Sequence, residues 1–142
     1  KVVNSADGDN ITALDAQNTT IKIRMYGIDA PESKQAFGQK AKQALTTAIA
    51  TKIVTVIDHG TDIYGRMLGT IWLDGYDINA SMVDSGYAWV YRFEDNAIVP
   101  GYIKYESAAQ KEAKGLWADT NPVPPWQWRQ ANEKPRKVKG KK

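Results

Sequence analysis

The 142 residues, 42% hydrophobic and 25% charged with a net charge of +3, suit one folded domain with a modest core. No stretch approaches the about 20 consecutive apolar residues of a membrane-spanning helix. The absence of cysteine excludes disulfides, thiolate metal sites and a cysteine nucleophile together.

Val2 and Val3 begin a first strand. Residues 10–14 and 19–27 read as two more, joined by a polar turn at 15–18 in a hairpin. In the second of these, Ile21, Ile23 and Met25 alternate with Lys22, Arg24 and Tyr26, so the strand buries the first set and leaves Arg24 on the opposite face. Gly27 and Pro31 then break it, which places Asp29 and Glu32 on a stiff turn at its end. From 39 to 50 the period changes: Ala41, Ala44, Leu45, Ala48 and Ile49 line one face of a helix. Residues 53–57 read as a buried strand and 66–73 as another, followed by the tight turn Asp74-Gly75. A short helix over 78–85 stops at Gly86, 87–92 is aromatic and extended, and a last helix over 102–114 stops at Gly115. Beyond it Pro122, Pro124 and Pro125 with Trp126 and Trp128 predict an irregular segment lying along the body. No internal repeat is present. Five strands with a helix after the third predict an α+β, mainly β fold: a five-stranded OB-fold barrel with about three helices.

Three clusters carry chemistry. Arg24, Asp29 and Glu32 form the first. Asp7-Gly8-Asp9 is the second: in extended chain both carboxylates face one way, with Gly8 admitting a ligand to the backbone, and hard cations want such oxygen ligands, although the same triplet is ordinary turn chemistry. Asp62, Tyr64, Gly65 and Arg66 form the third, where Arg66 is either a surface ion pair or a guanidinium held out for phosphate. Two arginines, a carboxylate set for a metal and a further glutamate are the parts a phosphodiester hydrolase needs. His59, the one histidine, reads as a satisfied or exposed side chain, which leaves no serine triad and no paired-histidine or histidine-rich zinc site. A phosphate-cradling Walker motif is also absent. From Arg129 to Lys142, seven basic residues and one acid outweigh the total charge, so the body before them is acidic. That tail suits an electrostatic tether to nucleic acid or another anionic surface, or a solvated terminus.

In its order of motifs, Asp7-Gly8-Asp9, then Arg24 through Ile28-Asp29-Ala30-Pro31-Glu32, then Asp62-Ile63-Tyr64-Gly65-Arg66, the chain resembles the staphylococcal nuclease (thermonuclease) family. Gly86-Tyr87-Ala88-Trp89-Val90-Tyr91-Arg92 and Gly115-Leu116-Trp117 look like further family positions, and the likeness runs from about Val3 to Trp117. The resemblance implies an OB-fold nuclease domain over 1–120, followed by a Pro/Trp-containing extension and basic tail over 121–142. It implies calcium-dependent endonuclease action on DNA and RNA, with little sugar specificity and leaving 3′-phosphate ends. By position, Asp9, Asp29 and the Ala30 carbonyl would hold calcium with Asp7 in support. Glu32 would activate or orient water, Arg24 and Arg66 would stabilise the phosphate, and Tyr64, Tyr91 and Arg92 would contact substrate. A monomer, secreted or periplasmic, is expected from the resemblance together with the start at Lys1. The chain departs from the family pattern at Asn10, Ala30 and Ile63, where the pattern has threonine, threonine and lysine, and in a shorter segment between Glu32 and Gly38. The last two changes weaken contacts to a far phosphate or neighbouring strand. The competing reading is a catalytically silent barrel that binds nucleic acid or protein.

Overall fold

Alternating apolar residues assemble a six-strand sheet in the computed structural model, which describes residues 1–132. Of the basic tail read from Arg129 to Lys142, residues 133–142 lie outside the described residues. Strands β1 (Val2–Asp7), β2 (Asn10–Leu14) and β3 (Thr20–Met25) run antiparallel in sequence, as the hairpin pattern predicts. A two-residue strand β4 (Ile28–Asp29) follows, then helix α1 (Gly38–Ile49). Strands β5 (Thr55–Thr61) and β6 (Met67–Leu73) return to the sheet, where β6 lies parallel to β3, giving the order β1-β2-β3-β6-β5.

The remainder is built from short pieces. Strand β7 (Tyr76–Asp77) pairs with β6 and leads into α2 (Ile78–Asp84), whose first turn is capped by Asp77 accepting from the Ala80 N–H. Strand β8 (Trp89–Val90) pairs with β4, and β9 (Arg92–Phe93) pairs with β10 (Asn96–Ala97). A 3-10 turn enters α3 (Ile103–Lys111).

Three expectations need correction. The sheet does not close into a barrel: among the described residues no ladder joins β1 to β5. Both edges carry register shifts, in β1 on either side of Asn4 and Ser5 and in β5 between Asp58 and Thr61, and such bulges bend an edge out of line for pairing. The Val2 N–H to Lys52 O and Thr51 N–H to Val2 O bonds tie the start of β1 to the approach to β5. The apolar run 53–57 is not buried either. Ile53 is 80% exposed and Ile57 48%, because β5 is the sheet's edge and begins two residues later. Finally, the Pro/Trp segment is helical: Pro125 opens α4 (Pro125–Asn132), making four α-helices among the described residues. A proline in the first turn lacks only an N–H that has no partner there.

The core lies between the sheet and the helices. Val2, Ile11, Ile23, Met25, Ile28, Leu45, Ile49, Ile71, Val83 and Val90 are all buried to 2% exposure or less. Asn79, the polar exception on α2, accepts from the Ile71 N–H and donates to the Tyr26 and Gly69 carbonyls. It thereby ties α2 to β6 and to the end of β3, just before the turn into β4.

Candidate active site

The three acidic and basic clusters meet around one cavity of about 700 Å³, lined among others by Asp7, Asp9, Arg24, Glu32, Tyr64 and Arg66. Arg24 lies mid-sheet on β3, opposite Asn10 on β2 and Leu68 on β6, with its side chain on the face away from Ile23 and Met25, as alternation requires. Its Nη1 lies 3.1 Å from Asp9 Oδ2 and its Nη2 3.6 Å from Asp29 Oδ1.

Asp9 belongs to the tight turn between β1 and β2, not to extended chain. Gly8 serves packing there, not ligand access: a Cβ at this position would lie 2.8 Å from those of Ala30 and Ala41. The absent side chain lets the turn sit against α1 and the segment after β4. Asp9 Oδ2 consequently accepts the Ala30 N–H at 2.7 Å, while its Oδ1 accepts from Asn10 Nδ2. Asp7 Oδ1 accepts from the Asp9 N–H and from Asn10 Nδ2. Burial pushes the Asp9 carboxyl well above the usual range; Arg24 opposes this, and Asp7 and Asp29 add to it.

Asp29 is in strand β4, paired with Trp89 of β8, and is 1% exposed rather than standing on an open turn. Glu32 lies three residues on, in a loop drawn tight by Gly38, where any Cβ would collide with the Glu32 carbonyl. The Glu32 N–H donates to Gln35 Oε1. Arg66 precedes β6. Asp62 takes its Nε at 2.8 Å and its backbone N–H at 2.9 Å, and Asn10 Oδ1 takes its Nη1 at 2.9 Å. Among the described residues its Nη2 makes no protein hydrogen bond, and its guanidinium lies over the Tyr64 ring, 5.4 Å from the centroid. Slight burial acts against ionised Asp62, but hydrogen bonds from the Arg66 and Tyr64 backbone and the Arg66 side chain outweigh it and hold the carboxyl below its usual range.

Tyr64, 75% exposed, and Tyr91 both line the cavity; Ile63, 89% exposed, does not. Arg92 is not at the cavity. Its guanidinium pairs with buried Glu106 on α3, Nη2 to Oε1 at 2.6 Å, an anchor that raises its pKa further despite partial burial. His59 is satisfied, stacked on Tyr26 with ring centroids 4.1 Å apart and bonded to Thr70 Oγ1.

Sequence reasoning missed Arg129. On α4, it reaches back about 100 residues: Nη2 lies 2.9 Å from Asp29 Oδ2 and Nη1 2.6 Å from Glu32 Oε2. Burial disfavours its charge, but the bonds and attraction from Asp29, then Glu32, overcome this and raise its pKa. The signal was present in Pro125 as a helix start and in the i, i+3 spacing of Trp126 and Arg129, but counting Arg129 with the tail hid it.

The donors fit a hard divalent cation in kind. Two buried carboxylates, Asp9 and Asp29, contact the two terminal nitrogens of Arg24, and the burial that disfavours ionised Asp9 is a cost a cation would offset. Among the described residues no three acidic or histidine side chains converge on one point. The protein side chains would therefore offer two carboxylates, leaving the rest of a shell of roughly six to eight oxygens to other donors.

A family model described as staphylococcal nuclease homologue matches residues 22–119. Protein ParB of Escherichia coli is 39% identical over 145 positions, covering 96% of this chain and 81% of its own length. An uncharacterized endonuclease of Haemophilus influenzae is 42% identical, covering 91% of this chain and 71% of its own. A micrococcal nuclease of Shigella flexneri is 38% identical, with 94% and 81% covered. The matched segment holds Arg24, Asp29, Glu32 and Arg66, whereas Asp9 and Arg129 fall outside it.

Proposed function

The chain belongs to the staphylococcal nuclease family, and from that premise we propose that it is a nuclease hydrolysing phosphodiester bonds of DNA and RNA internally, with calcium as its metal. One observation carries the reading: Arg24 and Arg66 face a single cavity with Asp9 and Glu32 in its wall and Asp29 directly behind. A silent binding module would gain nothing from gathering these charges where burial penalises them.

Asp9 and Asp29, with the Ala30 carbonyl, would hold the cation, which supplies Lewis-acid stabilisation of charge on the phosphate. Arg24 and Arg66 donate to the phosphate's non-bridging oxygens, and among the described residues the Nη2 of Arg66 has no protein hydrogen bond that would compete. Glu32 accepts a proton from the attacking water as the water oxygen bonds to phosphorus. The bond from phosphorus to the 5′-oxygen breaks, that oxygen takes up a proton, and the products are a 3′-phosphate and a 5′-hydroxyl. Tyr64 and Tyr91, both lining the cavity, offer aromatic surface to the nucleotide.

Plasmid DNA and single-stranded RNA, incubated with the protein in excess chelator and after calcium is restored, provide the test. Cleavage should stop with chelator and return with calcium, and end-labelling should find 3′-phosphates. Full activity in chelator would remove the metal from the reading; 5′-phosphate products would reverse the side of attack. Glu32→Gln should lower turnover by roughly 10²–10⁴-fold.

A further inference from the structure

Beyond the segment matched by the family model, α4 places a third guanidinium against the site, and its contacts are those of a built arrangement. Asp29 is fixed by the β4–β8 ladder and is 1% exposed. The Glu32 side chain, 30% exposed on a loop, has no such ladder to hold it. Arg129 spans the two carboxylates, with a third contact from Nη1 to Asp29 Oδ1 at 3.3 Å.

The helix that carries Arg129 is anchored to the same elements. Trp126 packs edge-on against Trp89, ring centroids 5.5 Å apart, and Trp89 is the ladder partner of Asp29. Gln35 receives the Glu32 N–H on its Oε1 and donates its Nε2 to the Val123 carbonyl at 2.6 Å. The extension thus holds Glu32 twice, by its side chain through Arg129 and by its backbone through Gln35.

We propose that α4 completes the site, with Arg129 as a positioning residue that holds the Glu32 carboxylate beside Asp29. The inference rests on the nuclease reading, in which Glu32 handles the water. A planar fork can bridge two carboxylates that would otherwise repel, and a displacement of about 1 Å in a catalytic group can cost about 10²-fold in rate. The guanidinium also offsets negative charge where a cation would bind, so its loss makes the site more attractive to one.

The test uses the full chain with Arg129→Gln, Arg129→Lys and Glu32→Gln, measuring kcat and KM on a labelled oligonucleotide, calcium binding by calorimetry without substrate, and thermal melting. For Arg129→Gln we expect kcat to fall about 100-fold with KM within about threefold, and calcium to bind about tenfold more tightly. Arg129→Lys should return calcium affinity to near wild type yet leave kcat low, because a point charge cannot bridge both carboxylates. It also carries the test should the glutamine variant fail to fold. Wild-type kcat in both Arg129 variants, a rise in KM without loss of kcat, or weakened calcium binding in a variant with an intact melting transition would each overturn the role. If Glu32→Gln is inactive while the Arg129 variants turn over normally, only the role of Arg129 falls. If Glu32→Gln itself turns over normally, the nuclease reading of Glu32 falls and takes this inference with it.

Discussion

Replacing Glu106 by alanine removes a carboxylate that is 3% exposed and makes three hydrogen bonds. Its Oε2 accepts the N–H of Val90 at 2.8 Å, and both oxygens hold Arg92. Val90 is fully buried and pairs with Ile28, so the bond props β8 against the strand that carries Asp29. Leaving that N–H without an acceptor costs about 1–3 kcal/mol. The Arg92 pair, whose guanidinium side chain is 29% exposed, contributes only about 1 kcal/mol after screening by solvent. A loss of about 3 kcal/mol follows. For 142 residues the unfolding entropy is about 0.3 kcal/mol per degree, so Tm should fall by about 10 °C. Glu106→Gln keeps an amide oxygen for Val90 and should lose only about 1 kcal/mol, roughly 3 °C. Urea titration and thermal melting of both variants decide it. A loss below about 1 kcal/mol for alanine, or equal losses for the two variants, would refute the reasoning that the buried N–H dominates.

The same geometry predicts that Arg92→Ala lowers stability while leaving KM for an oligonucleotide within about twofold; a large KM increase would return Arg92 to the substrate. Arg66→Lys should slow single-turnover cleavage by roughly 10²–10³-fold, since lysine cannot keep Asp62 and Asn10 engaged and still donate to phosphate, and a wild-type rate would take Arg66 out of the site. Asp62 has a folded pKa below its unfolded value of about 4, so its stabilisation is full above that pH and is lost as pH falls through the folded value. The stability gap between wild type and Asp62→Asn should accordingly be present at pH 7 and vanish in acid, and a gap that widens in acid would contradict the assignment. Asn79→Ala strands the Ile71 N–H and two carbonyls in the interior and should cost about 3 kcal/mol in urea unfolding; a loss under about 1 kcal/mol would mean those groups find other partners.

Local pattern carried a good deal of this fold. The alternation of Ile21, Ile23 and Met25 placed Arg24 on the open face, and the 3.6-residue period of Ala41, Leu45 and Ile49 located α1, because such patterns reflect which side of one element meets the core. The same logic misread the run at 53–57: β-branched composition says that residues favour a strand, not whether that strand is central or at an edge. Nor could it show that Gly8 is required by the Cβ atoms of Ala30 and Ala41, which belong to distant parts of the chain.

At the site the division is similar. The sequence by itself determined which chemistry was available: acids, arginines and no cysteine, with one histidine that proved to be structurally occupied. Its motifs also pointed to the family whose model matches residues 22–119. Tertiary structure alone decided that Arg92 faces Glu106 and that Arg129, some 100 positions from Asp29, faces the acids. An ion pair depends on where two side chains end up, and that is settled by the packing of Trp126 on Trp89 and of β8 on β4, contacts with no local period for a sequence to display.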